Sequence, residues 1–196
     1  MNRSDRRTGL AALGTVLLLI AGVAESAAAS GTERSGTRHA VASGAGDREK
    51  REAAALTGAA KLYRSAGDDI TFTFDAHLAA KDDADPTKAT GTFEFSHYVN
   101  GVGARAKAEV DCLLTGGRVA VVSGVITDSD LPGAEGRRVG ITVHDLGSHD
   151  RLGYSWASVG SPAETGALPA CVGSAPFEKV RRGTGDYRVV PWRPKL

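Results

Sequence analysis

Four consecutive runs of alternating apolar and polar residues, between positions 70 and 129, constrain the fold of this chain more than any other feature of its sequence. In the first run, from Ile70 to Leu78, every second residue is apolar and the residues between them are Thr, Asp or His. Such period-two alternation is typical of a β-strand that buries one face. The sequence therefore predicts a series of half-buried strands.

Two dipeptides that favour tight turns separate the later runs. Asn100-Gly101 lies between the second and third runs, and Gly116-Gly117 lies between the third and fourth. Asn and Gly tolerate the positive φ that two-residue hairpin loops require, so these runs are predicted to pair as antiparallel hairpins. With similar patterns elsewhere, the predicted strands are 58–64, 69–79, 90–99, 103–114, 118–128, 137–145, 151–158 and 186–192.

The predicted fold class is all-β, because no segment after Leu56 shows a sustained period of 3.6 residues. We expect a single antiparallel meander of about eight strands. Eight strands are enough for a small closed barrel, whose interior is filled by side chains or holds one small ligand. A two-sheet β-sandwich is the alternative, since the number of strands alone does not distinguish the two.

Residues 1–29 have the features of a secretory signal peptide. Arg3, Arg6 and Arg7 precede an apolar segment from Leu10 to Val23, and Ala27-Ala28-Ala29 offers a small-residue cleavage site. The apolar segment is shorter than the ~20 residues of a membrane-spanning helix, and no second one follows. The mature protein is therefore predicted to be secreted, extracellular or cell-wall associated, without a membrane span.

Residues 30–55 are predicted to be a disordered linker, and residues 56–196 to be the all-β domain. Gly, Ser, Ala, Thr and charged residues fill the linker, and Val41 is its only large aliphatic residue. Such a segment cannot bury enough apolar surface to offset the entropy of ordering. All eleven aromatic residues lie between Tyr63 and Trp192, within the predicted domain.

The charges of the chain are balanced. The 24 Lys and Arg residues face 23 Asp and Glu residues, which gives a formal net charge of +1. Affinity for nucleic acid depends on clustered basic residues that neutralise phosphates. The composition therefore argues against a nucleic-acid partner.

Cys112 and Cys171 are the only two cysteines, so a single intrachain pairing exists. In a secreted protein such a pair is expected to form a disulfide. The bond would attach the Pro-rich connection 160–179 to the fourth predicted strand, with a stabilisation of about 4 kcal/mol from loop closure. Two unpaired buried thiols are the alternative.

The densest polar cluster lies at residues 144–151. His144, Asp145, His149 and Asp150 within seven residues have the chemistry of a metal site, or of a base with an orienting carboxylate. The alternative is a hairpin turn in which the two aspartates accept backbone N–H groups. The turn is the favoured interpretation, and metal ligation is the hypothesis that competes with it.

A second candidate site lies at the end of the predicted strand 90–99. His97 shares the alternating apolar face with Phe93 and Phe95. A histidine near the end of a barrel strand can lie at the mouth of the barrel and contact a ligand. The alternative is a buried histidine that only serves the core.

Seven segments carry a resemblance to known proteins: Gly91–Tyr98, Asp111–Leu113, Gly124–Ile126, Gly140–Asp145, Asp150–Trp156, Cys171 and Ala175–Lys179. Over most of residues 56–193 the chain resembles small actinobacterial secreted proteins that carry the label repetin. It is also similar, more weakly, to post-COAP-type β-domains. The resemblance implies an exported β-domain, and it implies no particular activity.

The sequence as a whole favours a secreted, non-catalytic binding module. Its expected partner is a small apolar ligand, an extracellular protein or the cell wall, and no cofactor is indicated. An enzyme, metal-dependent or hydrolytic and centred on His144, Asp145, His149 and Asp150, is the competing hypothesis. A cell-wall interaction protein with residues 30–55 as a spacer is the third.

Overall fold

The computed structural model describes residues 52–194, and this part of the chain contains nine β-strands and three single-turn 3-10 helices. The predicted signal peptide and the linker up to residue 51 lie outside the described residues. The strands are β1 (Glu52–Lys61), β2 (Asp68–Ala79), β3 (Thr90–Val99), β4 (Val102–Gly116), β5 (Val119–Ser129), β6 (Arg138–His144), β7 (Arg151–Tyr154), β8 (Glu178–Lys179) and β9 (Asp186–Val190). The 3-10 helices are Ala80–Asp82, Pro86–Lys88 and Pro162–Glu164. Within the described range, no helix has the length and apolarity needed to cross a membrane.

The nine strands form one antiparallel sheet in the order β8-β7-β6-β5-β4-β3-β2-β1-β9, which curls into a half-barrel. The predicted all-β meander is confirmed, and the sheet is continuous rather than split into a sandwich. At one end the two edges of the sheet approach each other. Leu62, after β1, forms a bridge to Val180, after β8, and the Tyr63 N–H donates to the Lys179 carbonyl at 2.7 Å.

The first strand begins earlier than the sequence pattern indicates. β1 starts at Glu52, so residues 52–55 of the predicted disordered linker belong to the sheet. This Ala-rich segment lacks the β-branched residues that mark a strand. It is ordered by tertiary contacts, since Ala54 and Leu56 are fully buried and Ala55 pairs with Val190 of β9. The predicted boundary between linker and domain therefore lies inside β1.

The predicted hairpin turns are present. Asn100 and Gly101, between β3 and β4, have φ values of 52° and 82°, as a type I′ turn requires. The β4–β5 turn is shifted by one residue, because Gly116 pairs with Val119 and the loop consists of Gly117 and Arg118. Gly117 has a φ of 58° at the first loop position, which is the pattern of a type II′ turn.

The concave face of the sheet is filled by an aromatic core. Phe72 lies at its centre, with ring centroids of Phe74, Phe95, Tyr154 and Trp156 at 5.8 to 6.4 Å. Each fully buried Phe contributes on the order of 1.5–3 kcal/mol through removal of apolar surface from water. These rings occupy the space in which a barrel interior would otherwise hold a ligand.

A β-bulge in β4 changes which residues face the core. The pairing with β5 shifts between Val110 and Cys112, so that Leu113 packs in the core while Cys112 faces the convex side. The alternation of residues 104–114 in the sequence predicts Cys112 and Leu114 on the core face, and the bulge makes this prediction wrong beyond Val110. The bulge places Cys112 where Cys171 can reach it.

The disulfide Cys112–Cys171 is present, with a Cα–Cα distance of 5.2 Å. It fixes the connection between β7 and β8, here called the strap (residues 160–177), across the convex face of the sheet. Residues 139–143 of β6 are all buried, so buried and exposed side chains do not alternate along this strand. The reason is that the strap covers the face of β6 that the core does not. A Cβ added at Gly140 would lie 1.8 Å from the Val172 carbonyl oxygen, so β6 and the strap are in backbone contact there.

We expect Gly140→Ala to lower the free energy of unfolding by about 1–3 kcal/mol, because the added methyl group displaces the strap. Urea denaturation of the purified protein measures the effect. Gly116→Ala is the matched control, since no atom lies within 4 Å of its Cβ position. An equal loss in both variants would show that strand glycines, and not the contact with the strap, set the cost.

Candidate functional site

The polar cluster predicted as a turn or a metal site forms the connection between β6 and β7. Asp150 is 2 % exposed. One carboxylate oxygen accepts the N–H of Leu146 at 2.7 Å, and the other accepts the N–H of Tyr187, in β9, at 3.0 Å. The side chain thus connects its own loop to the last strand of the sheet.

Asp145, in the same connection, also links its loop to β9 through backbone N–H groups. Its carboxylate accepts the N–H of Gly147 at 3.2 Å and the N–H of Val189 at 3.4 Å. Tyr187 and Val189 are alternate residues of β9, the last strand in the order of the sheet formed by residues 52–194. Unpaired N–H groups at a sheet edge need acceptors, and the two carboxylates supply them.

Burial raises the pKa values of two side chains at the junction between the β6–β7 connection and β9, those of Asp150 and Tyr187. The pKa of Asp150 lies above its ordinary value of 3.8, because burial disfavours the carboxylate; the two N–H donors oppose the shift, and the carboxylates of Asp186 and Asp145 reinforce it. Burial likewise raises the pKa of the Tyr187 phenol, whose hydroxyl donates to the Ala60 carbonyl at 3.3 Å. Both groups belong to the packed junction of β9 with the β6–β7 connection.

The two histidines of the cluster lie apart from the buried carboxylates. His144 is partly exposed at the end of β6, opposite Val119. His149 is exposed, with its Nδ1 atom 2.9 Å from the Ser148 hydroxyl and its Nε2 atom against the Arg182 guanidinium. Among residues 52–194 no group of three or more His, Cys, Asp or Glu side chains has the arrangement of a metal site. Metal binding by these four residues stays a prediction that this geometry does not favour.

The second predicted site, at His97, lies beside an open cavity. We call this cavity the mouth cleft; its volume is about 410 Å³ and it lies where β3, β4, β5 and the strap meet. It is lined by Phe95, His97, Val102, Gly103, Ala104, Arg105, Ala106, Ser129, Asp130, Leu131, Trp156, Gly160, Ser161 and Pro162. Two of the three predicted ligand-binding residues therefore line one cavity, and the third, Phe93, is 1 % exposed and stacks beneath Phe95 at 6.5 Å.

His97 stands on the predicted face of β3, opposite Ile70 and Ala104, but beyond the edge of the core. Its side chain is 56 % exposed and its Nε2 atom is 2.9 Å from a carboxylate oxygen of Asp68. The imidazole is therefore oriented by a carboxylate at the rim of the mouth cleft. It is neither buried nor unpartnered.

Trp156 also lines the mouth cleft, although no sequence pattern predicts that it lies near His97. Trp156, two residues after β7, packs against Phe95 with a centroid distance of 4.5 Å. Leu131 and Pro162 extend the apolar surface, while Arg105 on the rim is paired with Asp128 at 2.7 Å. Trp156 lies inside the predicted strand 151–158, but the observed β7 ends at Tyr154, and only the fold brings the tryptophan to β3.

The polar groups of the mouth cleft are committed to structural bonds. The Ser129 hydroxyl donates to the Arg105 carbonyl at 2.9 Å and accepts the Leu131 N–H at 3.0 Å. The Ser161 hydroxyl accepts the Ala163 N–H at 3.2 Å. Neither serine is hydrogen-bonded to His97 in the described part of the chain, so the cleft lacks the pairing that activates a serine nucleophile.

Comparison of the chain with protein-family models gives no match, and comparison with curated proteins and with solved structures gives no significant match.

Proposed function

We propose that this protein is a secreted, non-catalytic binding module that holds a small ligand in the mouth cleft. The observation that carries the proposal is the aromatic pair Phe95–Trp156 at the base of an open cavity of about 410 Å³. Cavities of this size, apolar at the base with a few polar groups at the rim, are typical of small-molecule sites. The ligand is expected to have an apolar ring or chain and one polar group.

The shape of the core supports the mouth as the binding place. The aromatic rings around Phe72 fill the concave face, so a ligand inside the half-barrel would have to displace them. At the mouth, the cavity reaches Trp156 and Phe95, which are 7 % and 8 % exposed, so a ligand there would contact their exposed parts without displacing them. His97, oriented by Asp68, is placed to hydrogen-bond the polar group of the ligand.

Binding is favoured over catalysis by the way the rim residues are bonded. The serines of the mouth cleft are engaged with backbone groups, and the carboxylates of Asp145 and Asp150 hold β9. Export is supported by the disulfide between Cys112 and Cys171, because such bonds persist in oxidising compartments.

A fluorescence titration with N-phenyl-1-naphthylamine, a neutral aromatic probe, tests the proposal. We expect a saturable increase in probe emission with the unaltered protein. Ala104→Phe, which places a ring inside the mouth cleft, should weaken probe binding about tenfold or more, since it removes the apolar surface that the probe would cover.

Thr73→Phe is the matched control, because it adds the same ring at an exposed position of β2. This variant should bind the probe with unchanged affinity at the mouth cleft. Equal affinity of the Ala104→Phe variant and the unaltered protein, or no saturable signal at all, would contradict the proposal.

A further inference from the structure

A second cavity, of about 580 Å³, lies where the β6–β7 connection meets the segment after β8. We call it the basic cleft. Four cationic side chains line it, Arg151, Lys179, Arg181 and Arg182, together with Tyr63, Ser148, His149, Asp150 and Val180. It shares no lining residue with the mouth cleft.

Two of the cations are directly opposite each other on neighbouring strands. Arg151 of β7 and Lys179 of β8 are direct register partners. Like charges at directly opposed positions of an antiparallel pair are destabilising. Folding therefore brings these two charges together against their repulsion. Arg181 and Arg182, which follow Lys179 and Val180 in the chain, add two more positive charges to the cleft.

None of the four cations lies within 4.0 Å of a carboxylate in residues 52–194. The Arg151 guanidinium donates to the Phe177 carbonyl at 3.5 Å, and the Arg182 guanidinium contacts the Nε2 atom of His149. Two cations of β4 differ, since Arg105 pairs with Asp128 at 2.7 Å and Lys107 pairs with Glu94 at 3.3 Å. The basic cleft is thus a local concentration of uncompensated charge on a chain whose net charge is only +1.

The carboxylates closest to the basic cleft are committed to other partners. Asp150 is buried, and both of its oxygens accept backbone N–H groups. Asp69, within electrostatic reach of Arg181, is bonded to the Lys61 ammonium at 2.5 Å. Glu178 forms a two-point pair with Arg64. These three carboxylates therefore form no ion pair with the four cations of the basic cleft, and the nearby Asp186 carboxylate forms none with them within 4.0 Å among residues 52–194.

We propose that the basic cleft binds a small phosphorylated ligand that carries two or more negative charges. Arginine guanidinium groups match the oxygens of a phosphate with two parallel hydrogen bonds, and three arginines with one lysine suit a ligand of several phosphate or phosphate-like groups. The Ser148 hydroxyl and the Tyr63 side chain, 67 % exposed at the rim, add polar and ring contacts. The site is independent of the mouth cleft and of its proposed ligand.

Isothermal titration calorimetry of the full chain with inorganic triphosphate tests this site. We expect saturable binding whose affinity falls with rising salt. Lys179→Gln/Arg181→Gln should weaken triphosphate binding about tenfold or more, as expected for the loss of charge-assisted hydrogen bonds. The same variant should keep or increase its resistance to urea, since it relieves repulsion between cations.

Lys81→Gln/Lys88→Gln is the matched control, because it removes two exposed charges between β2 and β3, away from the basic cleft. Its affinity for triphosphate should change less than about twofold, the effect expected from net charge alone. Equal losses in both double variants, or the absence of saturable triphosphate binding, would overturn the proposal. Citrate binding as tight as that of triphosphate would overturn the assignment to phosphate.

Discussion

Removal of the disulfide, through Cys112→Ala/Cys171→Ala, is expected to lower the free energy of unfolding by about 2–5 kcal/mol. The bond joins residues 59 positions apart, so its loss frees a long loop in the unfolded chain. It also removes the covalent anchor of the strap on the convex face. Urea denaturation of the oxidised protein and of the double variant measures the change.

The loss should also reach the mouth cleft, because Gly160, Ser161 and Pro162 at the start of the strap form one of its walls. We expect probe binding at the mouth cleft to weaken together with stability. Besides the disulfide, hydrogen bonds hold the strap: the Cys171 N–H donates to the Ser123 hydroxyl at 2.9 Å, and guanidinium groups of Arg137, Arg138 and Arg151 donate to the carbonyls of Thr165, Leu168 and Phe177 at 3.1–3.5 Å. Unchanged stability in the double variant would mean that these polar contacts suffice.

A second double variant distinguishes the effect of losing the disulfide on stability from the effect of the backbone conformation at position 171. Cys171 has a φ of 65°, a region that glycine occupies more easily than residues with a Cβ. Cys112→Ala/Cys171→Gly should therefore be more stable than Cys112→Ala/Cys171→Ala by about 1 kcal/mol. The reverse order would show that the strap changes conformation when the bond is absent.

Asp150→Ala is expected to cost about 2–5 kcal/mol, the second largest effect. The substitution leaves the buried N–H group of Tyr187 and the part-buried N–H group of Leu146 without an acceptor, and each such group costs up to about 1–3 kcal/mol. Asp150→Asn should cost less, because its single carbonyl oxygen satisfies one of the two donors. Equal unfolding midpoints for the unaltered protein and the Ala variant in urea would contradict this role of Asp150.

The raised pKa of Asp150 gives this junction a pH dependence. Its carboxyl holds a proton more tightly in the folded state than at the ordinary pKa of 3.8 of the unfolded chain. Its contribution to stability is therefore greatest below pH 3.8, and it declines as the pH rises from 3.8 through the raised pKa. The stability of the unaltered protein relative to Asp150→Asn should decrease over this window and stay constant above it, as urea titrations at a series of pH values would measure.

Local patterns were sufficient for most strands and turns. Alternation from Ile70 to Leu78 gave β2 nearly to the residue, since a strand with one buried face needs period-two alternation. Asn100-Gly101 gave the β3–β4 turn, because few residues accept positive φ twice in succession. Patterns were less accurate at β1, which begins at Glu52 and not at residue 58, and at β7, which ends at Tyr154 and not at residue 158.

The candidate sites depended more strongly on the fold. The sequence indicated that His97 and Phe95 share a face, but Trp156 joins them only because the sheet curls. For the cluster at 144–151, the sequence favoured a turn but did not indicate which distant residues the cluster contacts. The carboxylates of Asp145 and Asp150 meet β9, more than thirty residues away, and no local pattern reports such a contact.

The sequence by itself determined most of the strands, the hairpin turns and the single cysteine pairing of this protein, because each of these follows from backbone preferences or from the number of residues of one kind. The tertiary structure alone decided the curvature of the sheet, the bulge that turns Cys112 outward and the convergence of Arg151, Lys179, Arg181 and Arg182. The physical reason is that burial and charge proximity are properties of distant segments packed together, and those segments meet only when the sheet has formed.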